Sequence, residues 1–86
     1  MYQIQKGLII QKIDKETVIF DAEESVLYTL NETAAEIFKM IKKGLKEEEI
    51  VERMVKKYDI KKERVEKDVK NLINKLKKRK IVVLRK

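Results

Sequence analysis

The sequence contains no cysteine, histidine, proline or tryptophan, and only two of its 86 residues are glycine. Without thiols or imidazoles, the common zinc sites, thiolate nucleophiles and histidine general bases are excluded. Gly7 and Gly44 lie too far apart in the chain to form a glycine-rich phosphate loop. The single serine, Ser25, has no activating base beside it. These absences predict a protein that is not an enzyme and that uses no cofactor or metal.

Long apolar runs are missing as well. No stretch approaches the roughly 20 residues that a membrane-spanning helix needs. The N-terminus lacks the charged start and long apolar middle of a signal peptide. We therefore expect a cytoplasmic protein that does not contact a membrane, and the absence of cysteine fits a reducing compartment. The abundance of Lys and Glu is typical of heat-adapted proteins.

Charged residues make up 43% of the chain and are unevenly distributed. Residues 1–30 carry a net charge of −2, whereas residues 61–86 carry +9, more than the +7 of the whole chain. A basic C-terminal third favours an anionic partner, either nucleic acid or an acidic peptide. The alternative is a solvated basic face that only keeps the protein soluble.

The first third of the chain reads as β-structure within a single domain, residues 1–86, with one modest core. Apolar clusters at 8–10 and 17–20 flank a polar turn and predict a hairpin. A third strand follows at 26–30. Alternation places three of its side chains on one face and two on the other: Val26, Tyr28 and Leu30 against Leu27 and Thr29.

The remainder reads as three helices and a short tail. The first helix starts at an N-cap on Asn31 or Thr33 and ends near Gly44. A second helix is predicted at about 46–58 and a third at 62–79, in the proportions of a helix-turn-helix. The apolar tail after the third helix predicts a short C-terminal strand that folds back on the sheet. The fold class is therefore α+β and winged-helix-like.

One segment carries a resemblance to a known family. Leu30-Asn-Glu-Thr-Ala-Ala-Glu-Ile37 resembles the L-N-x-T-A-x-x-I signature of PqqD-like proteins. The family's later features follow in order: Gly44, the acidic helix around Glu48-Glu-Ile-Val51, and a helix motif that matches Asp68 to Leu76. The resemblance covers about residues 7–84.

The resemblance implies a three-stranded antiparallel sheet packed on three helices. It also implies a recognition element for ribosomally made, post-translationally modified peptides (a RiPP recognition element). An acidic leader peptide would add as a strand to the third strand, against the third helix, and be presented to a modifying enzyme, often of the radical SAM class. Carried over by position, the peptide-binding residues are Val26, Leu27, Tyr28, Thr29, Leu30, Val69, Lys70, Ile73, Asn74 and Lys77.

Three alternatives stay open at this point. A winged-helix DNA-binding protein would use helix 62–79 for recognition, although Glu63, Glu66 and Asp68 crowd its N-terminal half. Each predicted contact residue, Tyr28 included, is also explained by a place in the core. Finally, a tail strand at 81–84 that paired with the third strand would fill the proposed groove. An exposed edge strand is compatible with a monomer or a homodimer.

Overall fold

The computed structural model describes residues 2–84 of the chain, without the side chains of Gln3 and Leu84. Over this range the chain forms five strands and three helices, in two sheets with the order β2-β3-β4 and β1-β5. The elements are β1 (Tyr2–Ile4), β2 (Leu8–Ile13), β3 (Glu16–Asp21), β4 (Val26–Leu30), α1 (Glu32–Lys42), α2 (Glu47–Tyr58), α3 (Lys62–Lys78) and β5 (Val82–Leu84).

The three-stranded sheet is an antiparallel meander with two short connections. A two-residue turn joins β2 to β3, with Asp14 in the left-handed region at φ 58°. The connection to β4 is stabilised by Asp21, whose Oδ1 accepts hydrogen bonds from the backbone N–H groups of Glu23 and Glu24 at 3.1 and 3.2 Å. Asp is favoured in turns for this reason. The predicted hairpin and third strand are both present, and the α+β fold class is confirmed.

The tail forms a strand, but the expectation that it returns to the three-stranded sheet is wrong. β5 pairs antiparallel with β1, with Tyr2 opposite Leu84 and Ile4 opposite Val82. The backbone N–H of Gln5 extends this pairing by donating to the carbonyl of Ile81 at 2.9 Å. The first residues of the chain thus satisfy the hydrogen bonds of its end. As a result, the tail leaves the outer edge of β4 uncovered.

The first helix begins where its cap predicts. Asn31 is the N-cap, because its Oδ1 accepts the backbone N–H of Ala34 at 2.8 Å. At the other end Gly44, at φ 84°, donates to the carbonyl of Ile41 at 3.0 Å, and Leu45 donates to Met40 at 3.1 Å. This pair of bonds is a Schellman motif. The cap at Asn31 therefore places the start of α1 immediately after the end of β4.

The third helix ends in the same motif with a lysine in the left-handed position. Lys80, at φ 59°, donates to the carbonyl of Lys77 at 3.0 Å, and Ile81 donates to Leu76 at 2.9 Å. The predicted helix 62–79 agrees with the observed bounds, since Arg79 is the C-cap. A residue with a Cβ is strained in this conformation.

One hydrophobic core lies between the sheets and the helices. Ile19 and Leu30 contribute from the three-stranded sheet, and every helix adds a buried stripe. The buried residues of α3 are Val65, Val69, Ile73 and Leu76. Within residues 2–84 no helix is both long and apolar enough to span a membrane, and no cluster of three metal-ligating side chains occurs.

Candidate functional site: the groove between β4 and α3

β4 is an edge strand, because β3 is its only partner among the described strands. The adjacent turn determines which backbone groups of the sheet point outward. A two-residue turn closes with a hydrogen bond from the N–H of Glu16 to the carbonyl of Ile13, so the backbone groups of Glu16 point toward β2. Backbone direction alternates along an antiparallel strand. The backbone groups of Ile19, three residues later, therefore point toward β4.

The direction of the backbone groups alternates along β4 in the same way. Tyr28 lies opposite Ile19, so its backbone groups point toward β3. The N–H and C=O groups of Leu27 and Thr29 therefore point away from the sheet. These four groups are the ones that an added strand would bond.

A groove of about 390 Å³ runs between this edge and α3. Most of its lining residues are apolar, with Tyr28 half-buried and Leu30 and Leu76 buried. Lys75 and Arg79 are exposed on the helical side. The full set of lining residues is Val26, Leu27, Tyr28, Thr29, Leu30, Asn31, Ala34, Leu72, Lys75, Leu76, Arg79 and Ile81.

Arg79 spans the groove near its middle. Its guanidinium carbon lies 5.0 Å from the centroid of the Tyr28 ring, within the range of a cation–π interaction. Among the described residues, no carboxylate is within ion-pairing distance of Arg79 or Lys75. The helical side of the groove therefore offers two cations to an incoming anion.

The groove continues at both ends. Toward the start of β4 it shares Val26, Tyr28 and Arg79 with a second depression, whose lining includes Lys78 and Lys80. Toward the end of β4 it shares three residues with a depression of about 510 Å³ between α1 and α3. The shared residues are Asn31, Ala34 and Leu72.

Comparison with known proteins assigns the family. The model of Coenzyme PQQ synthesis protein D (PqqD) matches residues 16–82. The chain belongs to the PqqD family. The resemblance stated from the Leu30–Ile37 signature is thereby confirmed. A comparison with proteins of curated function finds no match.

Two solved structures share the fold of this PqqD-family chain. One is TbiB1 in complex with the TbiA(beta) leader peptide, with a TM-score of 0.88 at 20% sequence identity, covering 98% of both chains. The other is lasso peptide synthetase B1 complexed with the leader peptide, with a TM-score of 0.89 at 19% identity, covering 96% of this chain and 98% of that one. At such identities the likeness establishes the fold.

The structure brings together only part of the predicted site. All five β4 residues line the groove. Val69 and Ile73 are 0% and 2% exposed and belong to the core. Lys70 lines a different depression between α2 and α3, and the Nζ of Lys77 lies 5.9 Å from the ring centroid of Tyr2, beside β1. Asn74 is exposed but is not among the groove residues.

Sequence reasoning missed the helical side of the groove. The residues of α3 that line it are Leu72, Lys75, Leu76 and Arg79, which follow the i, i+3, i+4, i+7 spacing of one helical face. One signal in the sequence could have identified this face. Lys75 and Arg79 have the helical spacing that places them beside the apolar pair Leu72 and Leu76. Direct peptide contact by the five predicted α3 residues stays a prediction.

A second groove, of about 380 Å³, lies at the opposite edge of the sheet, between β2 and α1. Its lining is charged with both signs, including Lys12, Glu32 and Lys39. Glu36 is already paired there, since its Oε1 is 3.0 Å from the Nζ of Lys57. The hydrogen bond from Lys57 lowers the pKa of the Glu36 carboxyl and raises the pKa of the Lys57 ammonium.

Proposed function

We propose that this PqqD-family chain is a non-enzymatic module that binds the leader of a ribosomally made precursor peptide. The leader adds as a strand to β4, lies in the groove against α3, and is held there for a modifying enzyme. The observation that supports this most strongly is the outward-facing backbone of Leu27 and Thr29 beside a preformed groove. Strand addition gains affinity from backbone hydrogen bonds and specificity from pockets for alternate side chains.

Two proteins of the same fold support leader-peptide binding. TbiB1 and lasso peptide synthetase B1 were each solved with a leader peptide bound, and each shares this fold over nearly the whole chain. Two features of this chain favour leader binding. β4 has a free outer edge, and mostly apolar residues line the groove beside it. The tail strand does not oppose it, because β5 pairs with β1.

The charge of the groove supports an acidic leader. Lys75 and Arg79 stand on its helical side with no carboxylate of the described chain paired to either. A peptide Asp or Glu whose side chain points into the groove would meet both cations. Guanidinium and carboxylate form charge-assisted hydrogen bonds, which are stronger than neutral ones.

We also propose which enzyme class receives the peptide and where in the cell binding takes place. The modifying enzyme is one that acts on ribosomal peptides, of the radical SAM class that often accompanies this family. Binding takes place in the cytoplasm, where the precursor is made. Nothing in strand addition requires a second copy of the chain, so a monomer suffices and a homodimer is compatible.

A DNA-binding role for α3 is not favoured. The depression between α2 and α3, the pair with helix-turn-helix proportions, is lined by Lys62 and Lys70 and by four carboxylates. They belong to Glu47, Glu48, Glu52 and Glu66. Carboxylates at that position would repel phosphates.

The test uses the full chain and the leader segments of small precursor peptides encoded next to its gene. Each leader carries a fluorophore, and binding is followed by anisotropy at physiological salt. We expect one leader to bind saturably with a dissociation constant of order micromolar, and excess random-sequence DNA duplex to leave it bound. No leader binding, together with duplex binding that weakens steeply with salt, would contradict the proposal.

A further inference from the structure

We infer that the groove reads two side chains of one peptide in two chemically different compartments: a large apolar side chain held between α1 and α3, and an acidic side chain four residues away at Arg79. This inference rests on the proposed strand addition to β4. It specifies which peptides the module selects.

The apolar compartment is the depression of about 510 Å³ between α1 and α3. This volume falls in the range of ligand pockets, roughly 300–1,000 Å³. Ala34, Ile37, Ile60 and Leu72 supply its apolar surface, and all four belong to the core or pack against it. Because Ala34 has only a methyl group, the space in front of it stays open.

The charges on the rim of this compartment are near each other. Arg64 Nε lies 4.0 Å from Asp68 Oδ2, one helical turn apart on α3. The pair brings one charge of each sign to this rim, so the rim offers no net charge to an ionic ligand. This gives Asp68, the residue that matches the family's motif aspartate, a place at the rim. The compartment therefore favours a neutral, apolar side chain, in contrast to the Arg79 end.

The two compartments lie on one path. Asn31, Ala34 and Leu72 line both the β4 groove and the apolar compartment. Asn31 follows directly on the last residue of β4. A peptide paired along β4 therefore enters the apolar compartment as it passes the end of the strand.

The helix sets the spacing between the two side chains. Asp68 and Leu72 precede Arg79 by eleven and seven positions on α3. At 1.5 Å per residue this separation is roughly 10 to 17 Å. An extended peptide covers that distance in about three to five residues. Only an even spacing returns a side chain to the same face of a strand, so the two anchors are four residues apart.

The direction of the peptide follows from the sheet. All three described strands of this sheet run antiparallel to their neighbours. An antiparallel fourth strand passes the end of β4 first and Tyr28 afterwards. The selected pattern is thus a large apolar residue, three unspecified residues, and then Asp or Glu.

The experiment displays random peptides of about twelve residues, long enough to span both compartments. It selects those that bind the full chain. The same selection is repeated on Ala34→Leu, which fills the apolar compartment. The matched control is Ala35→Leu, because Ala35 is the next residue of the same helix and lines the β2–α1 groove instead. Circular dichroism melts establish that both variants fold.

We expect the wild type and Ala35→Leu to enrich the apolar-x-x-x-acidic pattern. We expect Ala34→Leu to keep the acidic preference, lose the apolar one, and bind the wild-type winners about tenfold or more weakly. An unchanged pattern in Ala34→Leu, no apolar preference in the wild type, or the reverse order of the two anchors would overturn the inference.

A second readout separates this inference from the proposed function. The winning peptides are bound to Thr29→Pro, which removes an outward N–H of β4. If the peptides fail to bind this variant and the wild type has selected no apolar residue, strand addition stands. The two-compartment inference alone is then overturned. Full binding to this variant means that the peptides do not pair with β4, and both ideas then fail together.

Discussion

The sheet has two edges, and each lies beside a helix, yet only one is suited to receive another strand. On β4 every side chain that points toward the helices is apolar: Val26, Tyr28 and Leu30. On β2 the corresponding row is Leu8, Ile10 and then Lys12. A charged side chain that points inward on an edge strand is a known protection against unwanted pairing. The two edges have the same backbone geometry but different inward side chains, so we expect only β4 to accept a peptide strand.

The helices beside the two edges repeat the contrast. α1 brings carboxylates and ammonium groups together, and its Glu36 is also paired with Lys57 of α2. α3 brings Lys75 and Arg79 to the groove without a carboxylate partner among the described residues. The β2–α1 groove thus carries carboxylates as well as ammonium groups, whereas the β4–α3 groove carries cations and, among its described lining residues, no carboxylate.

The largest expected effect comes from removing one outward backbone donor from β4, and the matched change on β2 should have none. Thr29→Pro deletes an outward N–H of β4 and spares its bonds to β3, so leader affinity should fall roughly ten- to hundredfold, the cost of a lost bond and an unsatisfied carbonyl. Lys12→Pro deletes an outward N–H of β2 and should leave affinity unchanged. Titration calorimetry measures both, and Thr29→Val is the control that keeps the donor. Full affinity of Thr29→Pro would rule out pairing with β4.

A smaller effect is expected from one of the two cations of the β4 groove. Arg79→Gln should weaken an acidic leader roughly two- to fivefold, as expected for an exposed charge pair. Replacing the leader's acidic residue by its amide should cost the same, and the two changes together should cost no more than either alone. Lys39→Gln is the matched change in the β2–α1 groove and should have no effect. Additive losses would show that Arg79 does not read the acid.

The ends of the two helices predict a change in stability. Gly44 occupies the left-handed position after α1, whereas Lys80 occupies it after α3. Lys80→Gly should raise the free energy of unfolding by about 0.5–1 kcal/mol, because glycine adopts this conformation without steric cost. Gly44→Ala should lower it by a similar amount. Urea melts monitored by circular dichroism measure both changes, and a loss of stability in Lys80→Gly would contradict the assignment of strain.

The smallest effect concerns the ion pair of the β2–α1 groove. The pKa of Glu36 is lowered in the folded chain, mainly by the hydrogen bond from Lys57. Its stabilisation is therefore present above the unfolded carboxyl pKa and lost as pH falls through the folded one. Glu36→Gln should lower the melting temperature slightly at neutral pH and not at all at strongly acidic pH. A deficit that persists in acid would mean that the pair is not the cause.

The elements of the fold were predictable because their signals are local. Alternation predicted β4 at residues 26–30, and the Asn31 cap predicted where α1 begins. The pairing of β1 with β5 was not predictable, since it joins residues at opposite ends of the sequence and no local pattern encodes a partner so distant. The amino-acid sequence alone therefore does not reveal whether the tail strand pairs with the outer edge of β4.

The residues of α3 that line the groove were not predictable for a related reason. Leu72 and Ile73 are both apolar and adjacent, so the apolar stripe of α3 is wide and does not identify which margin faces β4. Packing resolves this, with Ile73 in the core and Leu72 at the groove. Lys75 and Arg79 each lie five positions after Lys70 and Asn74, which at about 100° per residue is a net rotation of about 140° around the helix.

Amide hydrogen exchange on the full chain, with and without a saturating leader, tests the central claim most directly. We expect the leader to slow exchange at the amides of Leu27 and Thr29, because these donors acquire partners in the added strand. Over the same titration, the outward amides of Ile10 and Lys12 on β2 should exchange at unchanged rates. Protection that appears on β2, or that is absent from both β4 amides while the leader is bound, would contradict the account.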